Sequence, residues 1–558
     1  MARRCWYWLR LDLGGLSLAA VFFGLSLTPS LVPRTWTFQA LVSGITITIG
    51  YALGVILAAV LRMAWVPVGR RWNLPRKGVL AIWWGGGIVA VGAITGYLLA
   101  SAGWQTELRD LFAMASPGPA HYLQVVALSF GGLLVFIGLW RVLRWGARRL
   151  SSVMSRRVPP RLALGVASLL VGAVFGFALN GVLVPSVLGA VNDAFGTLNR
   201  EGHAARPAPE STLRSGGTDS LVNWSEMGRE GRALTGGGPT VADLRDFVSR
   251  TDPSADLDQV QEPIRVYAGL GGTQDMRTRA RQVVAELERT GAFDREVLVV
   301  ATATGKGWID PVAIESLEYM HRGDTAFATM QYSYVPSAIS FLVDITEAQR
   351  AGTLLFEAVE ARWRQLDEQD RPKLIAYGES LGALGSAAAF DDLEDVRRRT
   401  DGALWVGAPA ATELIADWKA ARQPGSAMIQ PIVDDGRTVR FWNRHGPAGD
   451  PINGPWPHPR VIVLQHPSDP VVWWSTDLLL SEPEWMREPS GDDVLPTFAW
   501  HPFVTFWQVA ADMAGSGNVP YGYAHRYGDE QIQSWSAITA PNEWSDQWTD
   551  ELAELVVP

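Results

Sequence analysis

Long apolar stretches dominate the first third of the chain. Five stretches each contain 19 or more residues without a charge inside: 13–31, 38–61, 79–100, 122–140 and 162–184. At a helical rise of 1.5 Å per residue, about 20 such residues cross the roughly 30 Å hydrocarbon core of a bilayer. Buried helices of a soluble protein would show a polar face every third or fourth residue. The pattern therefore predicts an all-α transmembrane domain of five helices over residues 1–185.

The pattern changes after residue 185. Residues 186–262 are rich in Gly, Pro, Ser and Asp, which predicts a linker and an N-terminal extension. From 263 to 558, strand-like runs alternate with helical segments, including helices near 347–366 and, as the last, near 529–538. The predicted strands are Ile264–Leu270, Val297–Ala301, Phe327–Tyr332, Lys373–Tyr377, Ala403–Val406 and Val461–Leu464. This alternation predicts a mostly parallel sheet with helices on both faces.

Charge separates the same two halves. Residues 1–185 contain 17 Lys and Arg but only three acidic residues, whereas residues 186–558 contain 31 basic and 54 acidic residues. The acidic C-terminal half argues against a nucleic-acid partner, because phosphate binding needs clustered Lys and Arg. Cys5 is the only cysteine, which excludes an intramolecular disulfide and cysteine-based metal or redox sites.

Basic residues alternate between the connections of the predicted spans. The connections 62–78 and 141–161 and the N-terminus carry most of them, whereas the intervening connections carry only Arg34 and Arg109. Because basic loops stay in the cytoplasm, the N-terminus is predicted to be cytoplasmic, and five spans place the C-terminal half outside. The first stretch lacks an evident small-residue cleavage pattern, so it is predicted to be a retained anchor rather than a signal peptide. The chain is thus predicted to be an integral membrane protein.

A short motif follows the fourth predicted strand. Lys373–Tyr377 runs directly into Gly378-Glu379-Ser380-Leu381-Gly382, a G-x-S-x-G sequence between a strand and a helix. This spacing places a nucleophilic serine on a strained turn, and the two glycines remove side chains that would clash there. Ser380 is therefore the candidate nucleophile, and the alternative is a tight turn without chemistry.

With these residues the chain resembles the α/β-hydrolase superfamily and, more narrowly, a bacterial family of multi-pass membrane proteins with a C-terminal α/β-hydrolase domain. The resemblance depends on GESLG at 378–382, GLGG at 269–272 and SDP at 468–470. It implies a hydrolase domain over 263–558 with a chain order of nucleophile, acid and histidine. It also makes the insertion 410–460, which contains several aromatic residues, a predicted lid. The alternative for this insertion is a structural loop.

The resemblance assigns the remaining roles by position. Asp469 fits the acid because it directly follows a strand, with Asp450 and Asp477 as rivals. His525 fits the base because it precedes the last predicted helix, and His501 is the alternative. The predicted oxyanion donors are the backbone amide of Leu381 and the loop at Leu270 and Gly271.

These assignments predict a membrane-anchored serine hydrolase that cleaves an acyl ester associated with lipid or the cell envelope. No cofactor and no metal are expected, because the glycine-rich loops lack phosphate-binding spacing and no histidine pair has metal-ligand spacing. The expected partners are the lipid bilayer and the acyl-ester substrate. The alternatives are an acyltransferase that forms the same acyl-enzyme and a non-catalytic membrane-assembly or binding protein.

Overall fold

The computed structural model describes residues 11–65, 76–186, 189–190, 193, 199, 207–272, 275–335, 340–341, 345–445, 454–541 and 544–558. The chain divides into two compact units. Unit 1 comprises Met1–Gly189, Thr476–Met486 and Val494–Asn518, and unit 2 comprises Ala190–Ser475, Arg487–Asp493 and Val519–Pro558. Two segments from the C-terminal half therefore belong to the same unit as the apolar N-terminal helices.

Unit 1 is helical. Its N-terminal helices are α1 (Leu13–Ser26), α2 (Trp36–Trp65), α3 (Arg76–Leu111), α4 (Pro119–Met154) and α5 (Pro160–Phe177). Helix α5 continues through a π-helical turn, so its apolar stretch extends over Pro160–Ser186. By length and composition, four of the helices described here, α2 to α5, can cross a membrane. The predicted all-α N-terminal region is thereby confirmed, and four of its helices are candidate membrane spans.

All five predicted N-terminal helices are present, but the first stretch, 13–31, forms a shorter apolar helix than predicted. Helix α1 has 14 residues, which at 1.5 Å per residue gives about 21 Å, less than the roughly 30 Å core. The helix ends at Ser26 because Pro29 disfavours helical geometry at Thr28 and cannot itself continue the helical hydrogen bonds. A non-helical segment, residues 27–35, then leads into α2.

Helices α1 and α2 pack with their backbones in contact. A Cβ atom on Gly54 would lie 2.3 Å from the carbonyl oxygen of Gly14, and one on Gly50 would lie 2.8 Å from the carbonyl oxygen of Leu18. Small residues spaced by four allow this close approach between apolar helices. At the N-terminal end of α1, beyond the Gly14–Gly54 contact, Asp12 lies 3.1 Å from Arg62 near the C-terminal end of α2. Helix α1 therefore runs antiparallel to α2.

The C-terminal segments of unit 1 carry one further α-helix, α15 (Thr505–Gly515), which packs against α2. A short 3-10 helix, Thr476–Leu479, packs in turn against α15. The fold of the N-terminal helices is therefore completed by residues far away in the sequence.

Unit 2 is an α/β domain built on a seven-stranded sheet. Its strands are β1 (Ile264–Ala268), β2 (Val297–Thr302), β3 (Thr325–Met330), β4 (Lys373–Glu379), β5 (Gly402–Val406), β6 (Val439–Trp442) and β7 (Arg460–Leu464). The order is β1-β3-β2-β4-β5-β7-β6, and every described pair is parallel. The strands are buried almost throughout, as expected for a parallel sheet covered on both faces. The predicted fold class is confirmed.

The helices of unit 2 cover the two faces of the sheet. They are α6 (Gly228–Thr235), α7 (Val241–Thr251), α8 (Met276–Thr290), α9 (Pro311–Met320), α10 (Thr346–Trp363), α11 (Leu381–Ala387), α12 (Leu393–Arg399), α13 (Glu413–Ala420), α14 (Pro470–Trp473), α16 (Glu530–Thr539) and α17 (Asp546–Val556). All six predicted strands are present. Two expectations differ: strand β6 lies inside the insertion 410–460, and α17 follows the helix that was predicted to be the last.

The segment before the sheet is folded where the structure describes it. Residues 207–262 were predicted as a linker and an extension, yet α6 packs against β1 and Gly231 lies directly on the ring of Tyr267. This part of the chain is therefore an integral layer over the edge strand. Edge strands present unpaired backbone groups, and such a layer protects them.

A buried ion pair joins edge strand β1 to helix α9. The guanidinium of Arg265 donates to both carboxylate oxygens of Glu318, at 2.7 and 2.6 Å, and also to the carbonyl oxygen of Leu234 in α6 at 2.7 Å. The side chains of Arg265 and Glu318 are 3% and 0% exposed. Each charge is therefore kept in the protein interior by the other.

We expect Arg265→Met to destabilise unit 2 by about 3–5 kcal/mol, because Glu318 would remain buried without a partner for its charge. The double variant Arg265→Met/Glu318→Met should recover most of this loss, since no charge is left unpaired. Thermal unfolding of the detergent-solubilised full chain, followed by circular dichroism, measures both. A single variant that unfolds at the wild-type midpoint would contradict the role of the pair.

Candidate active site

The turn between β4 and α11 carries Ser380 in a strained conformation. Its backbone has φ +56° and ψ −126°, a left-handed value of φ that a residue with a side chain rarely adopts. The amide of Ser380 donates to the carbonyl oxygen of Val406, at the end of β5, at 2.8 Å. Ser380 thus lies at the carboxyl edge of the sheet, on a turn that is neither strand nor helix.

The two glycines of the motif allow backbones to approach each other. A Cβ atom on Gly378 would lie 2.3 Å from the carbonyl oxygen of Gly382. A Cβ atom on Gly382 would lie 2.3 Å from the carbonyl oxygen of Thr302, the last residue of β2. Neither position accepts a side chain without movement of the main chain, which is the reason for glycine on both sides of Ser380.

Asp469 and His525 are in direct contact. Asp469 lies in the loop after β7 and is fully buried, and His525 lies in the loop before α16. The Nδ1 atom of His525 lies 2.7 Å from Oδ2 of Asp469, and the hydroxyl of Tyr527 donates to the same oxygen at 2.7 Å. The other oxygen, Oδ1, accepts the amide of Val471 at 2.9 Å. The carboxylate is thus satisfied on both oxygens and orients the imidazole.

The other ring nitrogen of His525 is unoccupied. The Nε2 atom is buried and has no hydrogen-bond partner among the described residues. The ring lies against Gly407, where a Cβ atom would be 2.6 Å from Cε1, and Gly407 itself has φ +55°. Because Gly407 directly follows β5 and Ser380 binds Val406, the serine and the histidine both pack on the end of the same strand.

A second histidine supports the loop that carries His525. His466 is fully buried, its Nδ1 lies 2.8 Å from the carbonyl oxygen of Ala524, and its Nε2 lies 2.7 Å from Glu530. Burial alone would lower the pKa of His466, but Glu530 outweighs burial and raises it. Burial would likewise raise the pKa of Glu530, yet His466 lowers it to about 2. Each ring nitrogen of His466 thus faces an acceptor oxygen, which favours the ionic form of the pair, and these contacts hold the loop and the start of α16.

Two buried titratable side chains, Glu379 and Lys419, interact with the Asp469 carboxylate. Glu379 precedes Ser380, is 7% exposed, and its Oε2 has no described hydrogen-bond partner. Burial, with the nearby carboxyls of Asp310 and Asp469, raises the pKa of Glu379 well above its usual range. Burial lowers the pKa of the Lys419 ammonium to about 7, although Asp469 opposes this shift. A protonated, neutral Glu379 avoids a second negative charge beside the Asp469 carboxylate.

The structure does not bring Leu270 and Gly271 to Ser380. The amide of Leu270 is directed at Oε1 of Gln331, at 3.5 Å, and the amide of Gly271 donates to the carbonyl oxygen of Glu226 at 3.0 Å. Strands β3 and β2 separate β1 from β4 in the sheet. By contrast, Leu381 is the first residue of α11. Among the described residues, its amide donates to no acceptor. Of the predicted oxyanion donors, only Leu381 adjoins the serine.

The alternative residues lie elsewhere. His501 forms the turn at the start of α15 in unit 1, where its carbonyl accepts the amides of Val504 and Thr505. Asp477 is exposed on the 3-10 helix of unit 1, and Asp450 lies outside the described residues. In the insertion, Trp418 and Phe441 are 6% and 3% exposed and belong to the core of unit 2. These two aromatic residues therefore pack the fold, which favours the structural alternative over a lid.

Sequence reasoning missed Gly407, Tyr527 and His466. The only available signal for Gly407 was a glycine directly after a strand-like run, and Tyr527 lay two residues from a candidate histidine. Within the described part of the chain, no three His, Cys, Asp or Glu side chains are grouped so as to hold a metal ion. What the arrangement offers chemically is a strained serine, an imidazole with a free nitrogen and a buried carboxylate, the groups of acyl transfer through a serine nucleophile.

Comparison with known proteins agrees with this geometry. Residues 264–552, more than half of the chain, match the Alpha/beta-hydrolase family, and residues 27–239 match the Alpha/beta-hydrolase family N-terminus. Searches of curated proteins and of solved structures gave no significant match. The seven-stranded parallel sheet, the strained serine turn and the family match agree, and the chain belongs to the alpha/beta-hydrolase family.

Proposed function

We propose that this protein is a membrane-anchored serine hydrolase that cleaves acyl esters, with Ser380 as nucleophile, His525 as base and Asp469 as the acid that orients it. The observation that carries the proposal is the 2.7 Å contact between His525 and the fully buried Asp469, made while Nε2 of His525 remains free. A histidine that served only packing would engage both nitrogens when buried, as His466 does.

The reaction follows from these positions. The Oγ atom of Ser380 attacks the ester carbonyl carbon, and its proton passes to Nε2 of His525. The C–O bond to the alcohol breaks, and the imidazolium returns the proton to the leaving alkoxide. Water then attacks the acyl-enzyme with the same base and releases the free acid and Ser380. The Asp469 carboxylate holds Nδ1–H and stabilises the imidazolium in both halves.

The oxyanion of each tetrahedral intermediate needs two donors. The amide of Leu381, at the start of α11, supplies the first. For the second we propose the loop that begins at Ala303, after β2, in place of Leu270 and Gly271. Strand β2 is the direct neighbour of β4, and the backbone of Thr302 and Ala303 lies against Gly382. This loop therefore starts beside the serine turn, as the edge strand β1 does not.

The proposed catalytic domain faces the extracytoplasmic side. Counting α2 to α5 as spans, the C-terminal end of α2 and the connection 155–159 lie on one side of the membrane, and segment 27–35 and the C-terminal half lie on the other. The basic residues concentrate around the first pair, which the positive-inside rule assigns to the cytoplasm. Contacts within unit 1 support the same count, since Asp512 of the C-terminal half binds Arg34 and Ser30 in segment 27–35.

Orientation can be measured with topology reporters. A reporter active only outside the cytoplasm should be active when fused after Pro558 and silent when fused near Arg71. The span count and the basic loops both predict this pattern. The reverse pattern would move the candidate active site into the cytoplasm and contradict the assignment.

Labelling with a fluorophosphonate tests the nucleophile. The wild-type protein should label, and Ser380→Ala should lose labelling completely while it keeps its thermal unfolding midpoint, because only the attacking hydroxyl is removed. Ser249→Ala, which changes an exposed serine on α7, is the matched control and should label at the wild-type rate. Labelling that persists in Ser380→Ala would place the nucleophile elsewhere.

Substitution of the two candidate histidines separates their roles. His525→Ala should lower turnover of a short-chain ester by about three orders of magnitude or more, because the serine hydroxyl then lacks its base. His501→Ala should lower turnover about tenfold or less, since His501 forms a helix-initiating turn in unit 1. Both rates are measured at equal expression and membrane insertion. A dead His501→Ala with an active His525→Ala would refute the assigned base.

A further inference from the structure

The chain between Asp469 and His525 leaves unit 2 and contributes two segments to unit 1, Thr476–Met486 and Val494–Asn518. We call these two segments the cap. They are attached to the N-terminal helices by polar contacts that are almost fully removed from solvent. Their position and composition carry an inference that extends the proposed function and rests on it.

The first attachment is a buried ion pair. Asp512 on α15 lies 2.5 Å from Nε of Arg34, and the two side chains are 0% and 3% exposed. The same carboxylate accepts the hydroxyl of Ser30 and, at 3.1 Å, the amide of Leu31. Both carboxylate oxygens of Asp512 are therefore bound by segment 27–35, and these bonds fix the position of α15 along that segment.

The second attachment lies one helical turn earlier. The side-chain amide of Gln508 lies within 3.2–3.4 Å of the carbonyl oxygens of Leu25, Ser26 and Thr28. Carbonyl groups at the end of a helix have no partner within that helix, and α1 ends at Ser26. Gln508 and Asp512 therefore lie on one face of α15, and this face contacts the C-terminal end of α1 and the segment 27–35 that follows it.

These contacts indicate at which level of the bilayer the cap lies. Segment 27–35 directly precedes the long helix α2, and the carbonyl oxygen of Arg34 accepts Nη2 of Arg109, near the end of α3, at 3.1 Å. The cap therefore attaches where two long apolar helices begin and end, which is the level of the lipid–water interface.

The composition of the cap suits that level. Its partly exposed aromatic residues are Trp485, Phe498, Trp500, Phe503, Phe506 and Trp507, and Leu480 is 68% exposed. Aromatic side chains with an apolar body and a polar edge concentrate at membrane interfaces. Trp500 donates its indole N–H to the carbonyl oxygen of Leu478 at 2.9 Å, and Phe503 donates its amide to Leu479 at 2.9 Å. The two segments thus hold each other next to Leu480.

We infer that the cap is a lipid-contacting surface that lies in the headgroup and upper acyl region of the bilayer, and that the ester cleaved at Ser380 belongs to an amphiphile held in that bilayer. Thr476 follows Asp469 by seven positions, and His525 follows Asn518 by seven positions. Seven extended steps of the chain reach at most about 25 Å, which is the upper bound that chain length sets on the distance from Asp469 and His525 to the cap.

The contact with lipid is tested on the full chain in bilayer nanodiscs. In a Cys5→Ser background, Leu480→Cys is labelled with an environment-sensitive fluorophore, and Leu555→Cys on α17, where the leucine is 49% exposed, is the matched control. Lipids with a nitroxide near the top of the acyl chain should quench the label at 480 at least fivefold more than the label at 555. Equal quenching at the two sites, or a label at 480 that is shielded from both lipid and water, would overturn the inference.

The substrate class is tested by rates. Leu480→Asp should lower hydrolysis of a lipid ester presented in the nanodisc at least tenfold more than it lowers hydrolysis of p-nitrophenyl butyrate, whereas Leu555→Asp should leave this ratio at the wild-type value. An unchanged ratio in Leu480→Asp would refute a bilayer-held substrate. A wild-type protein that neither labels at Ser380 nor cleaves either ester would refute the hydrolase itself, and the quenching result would still decide the lipid contact.

Discussion

The contact of Gly382 with the last carbonyl of β2 constrains the whole active-site edge. Since no side chain fits there, α11 starts directly against β2, and the chain must reverse within one residue after β4. Ser380 absorbs this reversal with φ +56°, a conformation that typically costs about 1–3 kcal/mol and that persists only where the surroundings impose it. Pairing of β4 with both β2 and β5 imposes it here, because neither strand can move away independently.

Parallel pairing extends this constraint to the other groups. The carboxyl ends of β4, β5 and β7 lie side by side, so the residues that follow them emerge at one edge. Ser380 follows β4, Gly407 follows β5, and the loop with Asp469 follows β7. His525 comes from a loop that is held to this edge by His466, Tyr527 and the close approach to Gly407. The histidine is therefore positioned by packing rather than by a strand of its own.

Much of this was readable from the sequence, for identifiable reasons. The strands of a doubly covered parallel sheet are continuous apolar runs, and the G-x-S-x-G motif marks its turn by two glycines and a serine. The order of strands in the sheet depends on contacts between distant residues and cannot be read from a short stretch of sequence. The loop at Leu270 and Gly271, after β1, was therefore expected beside Ser380, although β3 and β2 lie between β1 and β4. The first apolar stretch was expected to be a full span because hydropathy does not register how Pro29 ends a helix.

Long-range packing accounts for the other differences. The aromatic residues of 410–460 resemble those of a lid in composition, but Trp418 and Phe441 are core residues because the insertion contributes a helix and the strand β6. Segments of 476–518 resemble ordinary loops of the hydrolase domain, yet they belong to the apolar unit. Three-dimensional contacts distinguish the two cases, since both stretches carry aromatic residues among polar ones.

The pairing of Arg34 with Asp512 also has a consequence for biogenesis. The two residues are 478 positions apart, so the apolar helices are synthesised long before the carboxylate that neutralises Arg34 exists. Until the C-terminal half has been made, the end of α1 lacks Gln508 and Arg34 lacks its buried partner. The contacts that complete the N-terminal helical unit therefore form only after nearly the whole chain has been synthesised, and folding of this unit depends on the C-terminal half.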